Sequence, residues 1–171
     1  MLLSKNCEYG LRAMLYLGSL QKAREEGGEG TDASDAGDDA PSPPGEYVSI
    51  STISDDLDIG LSLLTNVLQE LNAAGLLTSK RGRGGGVALT RPPKDTNLYD
   101  IIVALEGPEL FEQCILGLPG CGDAEPCPIH EHWTRERDRL KATLQGTTLA
   151  EVPDVRLTPF LKNAAEEEKG G

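Results

Sequence analysis

Between Leu61 and Thr90 the chain carries a succession of patterns that few folds can accommodate. Leu64, Val67, Leu68 and Leu71 recur at the spacing of one helical face. Gly75 follows, the residue type that a helix end most readily takes. Two short β-compatible runs, starting at Leu76 and Val87, then flank the segment RGRGGG at 81–86, which predicts a hairpin with a glycine-rich turn. Upstream, Val48–Leu57 predicts a shorter helix with Ser49 or Ser51 as its cap and Ile53 and Leu57 turned inward; Asp58-Ile-Gly60 breaks it. Two short helices about a glycine-bearing corner, followed by a basic hairpin, form the outline of a winged helix-turn-helix.

Three more helices are expected around this unit. Residues 6–24 carry a wide apolar stripe that includes Tyr9, Leu11, Met14, Leu17 and Leu20. Residues 97–106 (NLYDIIVALE) end at Gly107-Pro108, and 129–145 place Ile129, Trp133, Leu140 and Leu144 on one face. Residues 25–46 differ in kind: they are rich in Gly, Pro, Asp and Ser and hold almost no large apolar group. Such a stretch cannot bury enough surface to offset its ordering entropy, so it is expected to be a disordered acidic insertion. Residues 151–171 are expected to form a frayed tail.

A net charge of −12 argues at first against a nucleic-acid partner. Its distribution reverses that. Residues 25–46 hold eight of the acids and no Lys or Arg, so the remainder carries only −4. Residues 76–94 hold Lys80, Arg81, Arg83, Arg91 and Lys94 with no acid among them. Screening over about 8–10 Å makes that local cluster matter more to a phosphate than the total does. On the second helix of the pair, Ser62, Leu63, Thr65, Asn66 and Gln69 are expected to face outward. Asn and Gln can read adenine edges, and Ser and Thr can bond bases or phosphates. Lys80, Arg81 and Arg83 on the hairpin suit a phosphate or a minor groove. Asp55, Asp56, Asp58 and Glu70 would oppose this unless they point away.

Of four cysteines, Cys114, Cys121 and Cys127 lie within fourteen residues, spaced C-x6-C-x5-C in a stretch rich in Gly and Pro. Thiolates are the natural ligands of iron–sulfur clusters, and such loops let several converge on one inorganic core. Three leave the cluster one protein ligand short. A histidine, a carboxylate or a small molecule must complete it, and such a ligand is easier to displace, which suits sensing. His130 closes a Cys-x2-His ending. Zinc on three Cys and His130 is chemically possible, although the usual short Cys-x2–4-Cys pair is absent. Cys7 is expected to pack in the first helix, His132 to be solvated, and Trp133 to anchor its helix. No nucleotide-binding glycine fingerprint and no Ser/His/Asp or paired-carboxylate arrangement is present, so the chain does not read as a hydrolase or nucleotide enzyme. An electron-transfer component using the same cluster is the alternative in a different class. No stretch reaches the roughly 18 apolar residues of a membrane helix, and the N-terminus lacks a signal-peptide pattern, so a cytoplasmic protein is expected.

The segments SKNCEYGLRAMLYL, LLTNVLQELNAAGLLTSKRGRGGGVALTRPP and LYDIIVALEG, the last followed by spaced cysteines, resemble the Rrf2 family of transcription regulators. The resemblance covers residues 1–24 and 47–150, and Gly75–Gly86 is its most specific part. It implies a fold that is mainly α with a small β-wing: a winged helix-turn-helix domain (1–24 and 47–95) plus a cluster-binding loop and long dimerisation helix (96–150). It further implies that Ser62 to Gln69 read the major groove of double-stranded operator DNA, that Arg81 and Arg83 enter the minor groove, and that helix 129–145 builds a homodimer. A two-fold dimer implies a pseudo-palindromic operator. The function implied is a DNA-binding regulator, a repressor, that senses iron–sulfur status, redox state or nitric oxide. The IscR-type cysteine loop favours His130 as fourth ligand of a 2Fe–2S cluster. The NsrR-type arrangement would use Glu8, donated across the dimer, on a 4Fe–4S cluster. The first cysteine gap is six residues where the family pattern has five, which leaves both cluster types open. A zinc-bound or metal-free DNA-binding regulator stands as the remaining alternative.

Overall fold

The computed structural model describes residues 3–27 and 45–152. Most of the expected acidic insertion and of the expected tail therefore lies outside the described residues. The element order is α1 (Lys5–Gly27), α2 (Ile50–Leu57), α3 (Leu61–Ala73), β1 (Leu77–Lys80), β2 (Gly86–Leu89), α4 (Leu98–Glu106) and α5 (His130–Gly146). Single 3-10 turns stand at Pro93–Asp95 and Glu109–Phe111. The fold is thus mainly helical with a two-stranded wing, as expected. Helix α1 runs three residues past the expected end at Arg24. An exposed ion pair of 3.1 Å joins Arg24 to Glu46, on either side of residues 28–44.

Local chemistry sets each boundary of the helix pair. Of the two candidate caps, Ser49 is the one used: its hydroxyl accepts from the Thr52 backbone N–H at 3.1 Å. A cap of this kind contributes about 0.5–2 kcal/mol. Asp58 ends α2 in the left-handed region, and the Ser54 hydroxyl donates to the Ile59 carbonyl at 2.6 Å to close the corner. At the end of α3, Gly75 takes a φ of 75°. The Leu76 N–H then reaches back to the Leu71 carbonyl and the Gly75 N–H to Asn72, both at 3.0 Å. This paired closure needs a residue without a side chain at its left-handed position.

Strands β1 and β2 pair antiparallel with Leu77 opposite Leu89 and Lys80 opposite Gly86. Val48 adds a bridge to the far side of Val87, with both hydrogen bonds at 2.9 Å. Gly86 is required there, because a Cβ would sit 2.0 Å from the Val48 carbonyl oxygen.

Helices α1, α2 and α3, the base of the wing and α4 share one core. Met14, Ile53, Leu57, Leu64, Leu68, Leu71 and Ile101 are all at most 1% exposed within it. Leu149 joins the same core after α5, drawn in by a bridge between Asn97 and Thr148. Helix α4 and Leu149, both after residue 96, thus pack into the core of the winged helix. A smaller cluster of Cys7, Ile102 and Phe111, with Tyr99, Leu140 and Leu144 against it, carries the segment that leads to the cysteines. Ser4 caps α1 through the Cys7 N–H, and its own N–H and hydroxyl both bond to Glu106 at the end of α4. Among the described residues no helix is long and apolar enough to cross a membrane.

Candidate functional site

Two surfaces carry chemistry, and the first is the outer face of α3 with the wing. Burying Leu64, Val67, Leu68 and Leu71 turns Ser62, Leu63, Asn66 and Gln69 to solvent. Thr65 is half-buried, and its hydroxyl bonds back to the Leu61 carbonyl at 2.7 Å. Lys80, Arg81 and Arg83 are all exposed on the wing, and none has an acidic partner among the described residues. Arg91, by contrast, pairs with Asp100 at 3.7 Å. Of the four opposing acids, Asp56 accepts the Tyr16 hydroxyl. Burial, and then the hydrogen bond to Asp56, push the Tyr16 phenol up to about 12, so it remains a donor. Asp55, Asp58 and Glu70 are exposed.

The second surface is the cysteine loop between the turn at Glu109–Phe111 and α5. The loop folds on its own backbone: the Gly117 N–H bonds to the Cys114 carbonyl at 2.9 Å and the Cys121 N–H to Leu118 at 3.3 Å. Helix α5 then holds it from one side. The His130 N–H bonds to the Cys127 carbonyl at 2.9 Å, the Trp133 indole N–H to the Gln113 carbonyl at 2.9 Å, and Arg137 Nη1 to the Glu112 carbonyl at 2.9 Å. These contacts bring together the three predicted thiols. The sulfurs of Cys114, Cys121 and Cys127 all lie within 4.8 Å of one another, with Cys114 and Cys127 3.7 Å apart. His130 joins them: its Nδ1 is 3.3 Å from the Cys121 sulfur, and its Nε2 is 3.4 Å from Asp123 Oδ1. Glu8 pairs with Lys5 of its own helix at 3.4 Å and is not part of the three-cysteine group.

The thiols titrate against one another. The Leu116 backbone N–H holds Cys114 below the ordinary thiol range, against a desolvation that raises it. The Cys127 N–H pulls Cys121 down, but desolvation and its thiol neighbours outweigh that and leave it raised. Cys7, fully buried, contrasts with Cys114: burial, and then Glu106, push its thiol up to about 12. It packs, as expected, and is no ligand candidate.

A cleft lined by Cys114, Cys121, Asp123, His130, Thr134 and Arg137, among others, opens beside the sulfurs. Two buried atoms in its wall, Thr134 Oγ1 and Arg137 Nε, lack hydrogen-bond partners among the described residues. Three converging thiols, an imidazole backed by a carboxylate, and unmet donors suit an iron–sulfur cluster. The cysteines and His130 are legible in the sequence. Thr134, Arg137 and the clamp through Trp133 are not, since only the folded loop reveals what they touch.

A family model described as an iron-dependent transcriptional regulator, Rrf2, matches residues 40–154. The chain belongs to the Rrf2 family. Among curated relatives, one from Haemophilus influenzae, named as an HTH-type transcriptional regulator, is 34% identical over 112 residues, covering 66% of this chain and 74% of its own length. Another so named, from Neisseria meningitidis, is 33% identical over 61% of this chain and 70% of its own. Among solved structures, CymR, titled the global cysteine regulator of B. subtilis, matches with a TM-score of 0.64 and 26% identity over 92% of this chain and 96% of that one. The IscR of T. potens has the same fold, with a TM-score of 0.59 and 24% identity over 97% of this chain and 90% of that one. This Rrf2 member is thus a DNA-binding transcription regulator, and its relatives are regulators rather than enzymes.

Proposed function

We propose that this Rrf2 regulator is a homodimeric repressor whose grip on its operator depends on an iron–sulfur cluster held by Cys114, Cys121 and Cys127. The observation that carries the reading is the convergence of those three sulfurs within 4.8 Å, in a chain that also bears an unpaired basic wing. The cluster, when bound, supplies a core whose oxidation state and ligation respond to redox state, iron supply or nitric oxide.

The residues then divide as follows. The three thiolates bind the core. His130 is the fourth ligand, supported by its place 3.3 Å from the Cys121 sulfur. Asp123, on the other ring nitrogen, fixes its orientation and tautomer, as carboxylates do for histidine ligands. A Cys3His set favours a 2Fe–2S cluster. Glu8 remains the alternative fourth ligand if it is donated from a partner subunit to a 4Fe–4S cluster. Ser62, Leu63, Thr65, Asn66 and Gln69 read the major groove, while Lys80, Arg81 and Arg83 contact phosphates or the minor groove. Dimerisation through α5 is supported by its exposure: no residue of the helix is fully buried in the single chain, even though Leu140 and Leu144 pack against the chain's own smaller cluster.

Coupling has a short physical route. Three residues before Cys114, Phe111 is buried against Ile102 of α4, and α4 packs on α3. A loop that shifts therefore acts on the DNA-reading helix through packed side chains. A tenfold change in operator affinity needs only about 1.4 kcal/mol of difference between two states.

Anaerobic isolation followed by iron and sulfide analysis tests the reading directly. The wild type should be coloured and contain both elements, and Cys114→Ala should remove them while leaving the fold intact. A colourless protein carrying one zinc per chain would sink the cluster and keep the DNA-binding role.

A further inference from the structure

The unmet donors in the cysteine cleft call for an explanation of their own. Thr134 Oγ1 and Arg137 Nε are buried without a hydrogen-bond partner among the described residues. Asp138 Oδ1 lies 3.7 Å from Arg137 Nε, too far for a hydrogen bond. Helical threonines ordinarily satisfy themselves by turning back onto the preceding turn, and here Thr65 does so onto Leu61 at 2.7 Å and Thr143 onto Arg139 at 3.0 Å. Thr134, on the same helix as Thr143, does not. His130, Thr134 and Arg137 stand at i, i+4 and i+7, so they share one face of α5. All three line the same cleft as Cys114 and Cys121, and among the described residues Arg137 is the only Lys or Arg that lines it.

A buried donor left unmet is costly, and two of them in a cleft lined by Cys114 and Cys121 suggest that their acceptors arrive with the cofactor. We propose that Thr134 and Arg137 are the hydrogen-bonding wall of the cluster pocket: they donate to its sulfur atoms and so raise its reduction potential. Hydrogen bonds and positive charge beside the sulfurs favour the reduced state, which carries one more negative charge. Glu112 and Asp123 line the cleft as well and act in the opposite sense, so the pair offsets an otherwise acidic pocket. Arg137 also has a positioning role, since its Nη1 holds the Glu112 carbonyl two residues before Cys114.

The inference rests on the iron–sulfur reading, and one experiment separates the two. The full chain is loaded anaerobically as wild type, Thr134→Val, Thr134→Ser, Arg137→Gln and Arg137→Lys. Iron and sulfide are counted, and the midpoint potential is followed by visible absorption in a dye-mediated titration. Thr134→Val and Arg137→Gln should keep the iron and shift the potential to more negative values. Thr134→Ser should stay near wild type, and Arg137→Lys should fall between. Fully loaded Thr134→Val and Arg137→Gln proteins with unmoved potentials would overturn this inference alone. A wild type that takes up no iron and sulfide overturns the cluster reading and this inference with it. Should Arg137→Gln lose its iron because the clamp on residue 112 is gone, Thr134→Val decides, as it gives up no hydrogen bond in the structure.

Discussion

Helix α3 buries four of its thirteen residues and presents polar groups on the opposite side, whereas α5, with seventeen residues, buries none. The same contrast extends to what surrounds them. The helix pair has a capped start of α2, a closed end of α3 and, with the base of the wing, a continuous core. The cysteine loop shows Ile115, Leu116 and Leu118 at about half exposure, and α5 beside it keeps two buried polar atoms without partners among the described residues. The winged half is held by its own apolar burial, while the sensor half is held by a few side-chain bonds to backbone and leaves positions open for something added. A regulator needs that division. Segments that respond to a signal come from the less stable end of a structure.

The largest test of this contrast is ionic. If the wing carries the phosphate contacts, a dimer making roughly 6–10 of them should lose about 10³–10⁵ in operator affinity between 50 and 200 mM salt. Arg81→Ala and Arg83→Ala should each flatten that salt slope by about one. Cys114→Ala should leave the slope as it was, because it removes no phosphate contact. Fluorescence anisotropy across a salt series reads all three, and a slope changed by the cysteine variant would merge the two halves.

The thiols supply the next largest difference. Cys7 has its thiol raised from 9.0 to about 12 by burial and Glu106, which leaves about a thousandfold less thiolate than in an ordinary cysteine. In cluster-free native protein at pH 8, alkylation should therefore label Cys114, Cys121 and Cys127 and spare Cys7 until denaturant is added, as mass spectrometry would reveal. The sign for stability follows from the same shift. The folded thiol keeps its proton to higher pH than the unfolded one, so unfolding releases a proton above pH 9. Stability should fall as pH rises from 9 towards 12. Cys7→Ala should remove the part of that fall between pH 9 and 10 and lessen the rest, to which Tyr16, raised from 10.0 to about 12, contributes with the same sign.

Much of the fold was legible before the structure. Leu64, Val67, Leu68 and Leu71 face inward as their spacing requires, and Gly75 closes α3, because both follow from rules that act within a few residues. Ser49 and Ser51 were equally good caps on paper, and only the helix start chose between them. The sensor half was legible in its cysteines but not in what organises them. Glu106 capping Ser4 and Arg137 holding Glu112 are partners 102 and 25 residues apart, and no local pattern announces such pairs. Nothing in the helical pattern around Thr134 marks its hydroxyl as buried.

Substitution in the core should come third in size. Leu68 is 1% exposed in the shared core, so Leu68→Ala should cost about 2–5 kcal/mol in a urea titration. Because α4 and Leu149 share that core with α1 and α3, the described part of the chain should unfold in one transition. A second transition that follows the cysteine region alone would show that the sensor half is a separate unit.

The smallest effect is the most informative about the assembly. Ile115 and Leu116 are 52% and 53% exposed, so in a single chain Ile115→Ser and Leu116→Ser should each change stability by about 0.5 kcal/mol or less. Their apolar surface faces water here, and replacing it loses no burial. A loss well above about 1 kcal/mol, growing with protein concentration, would mean that the native dimer covers these side chains, since burial in an interface couples stability to association. In that event the open half of the molecule is completed by its second copy. A loss that stays small at every concentration leaves the loop's surface exposed to solvent, with the cluster the only thing its thiols need.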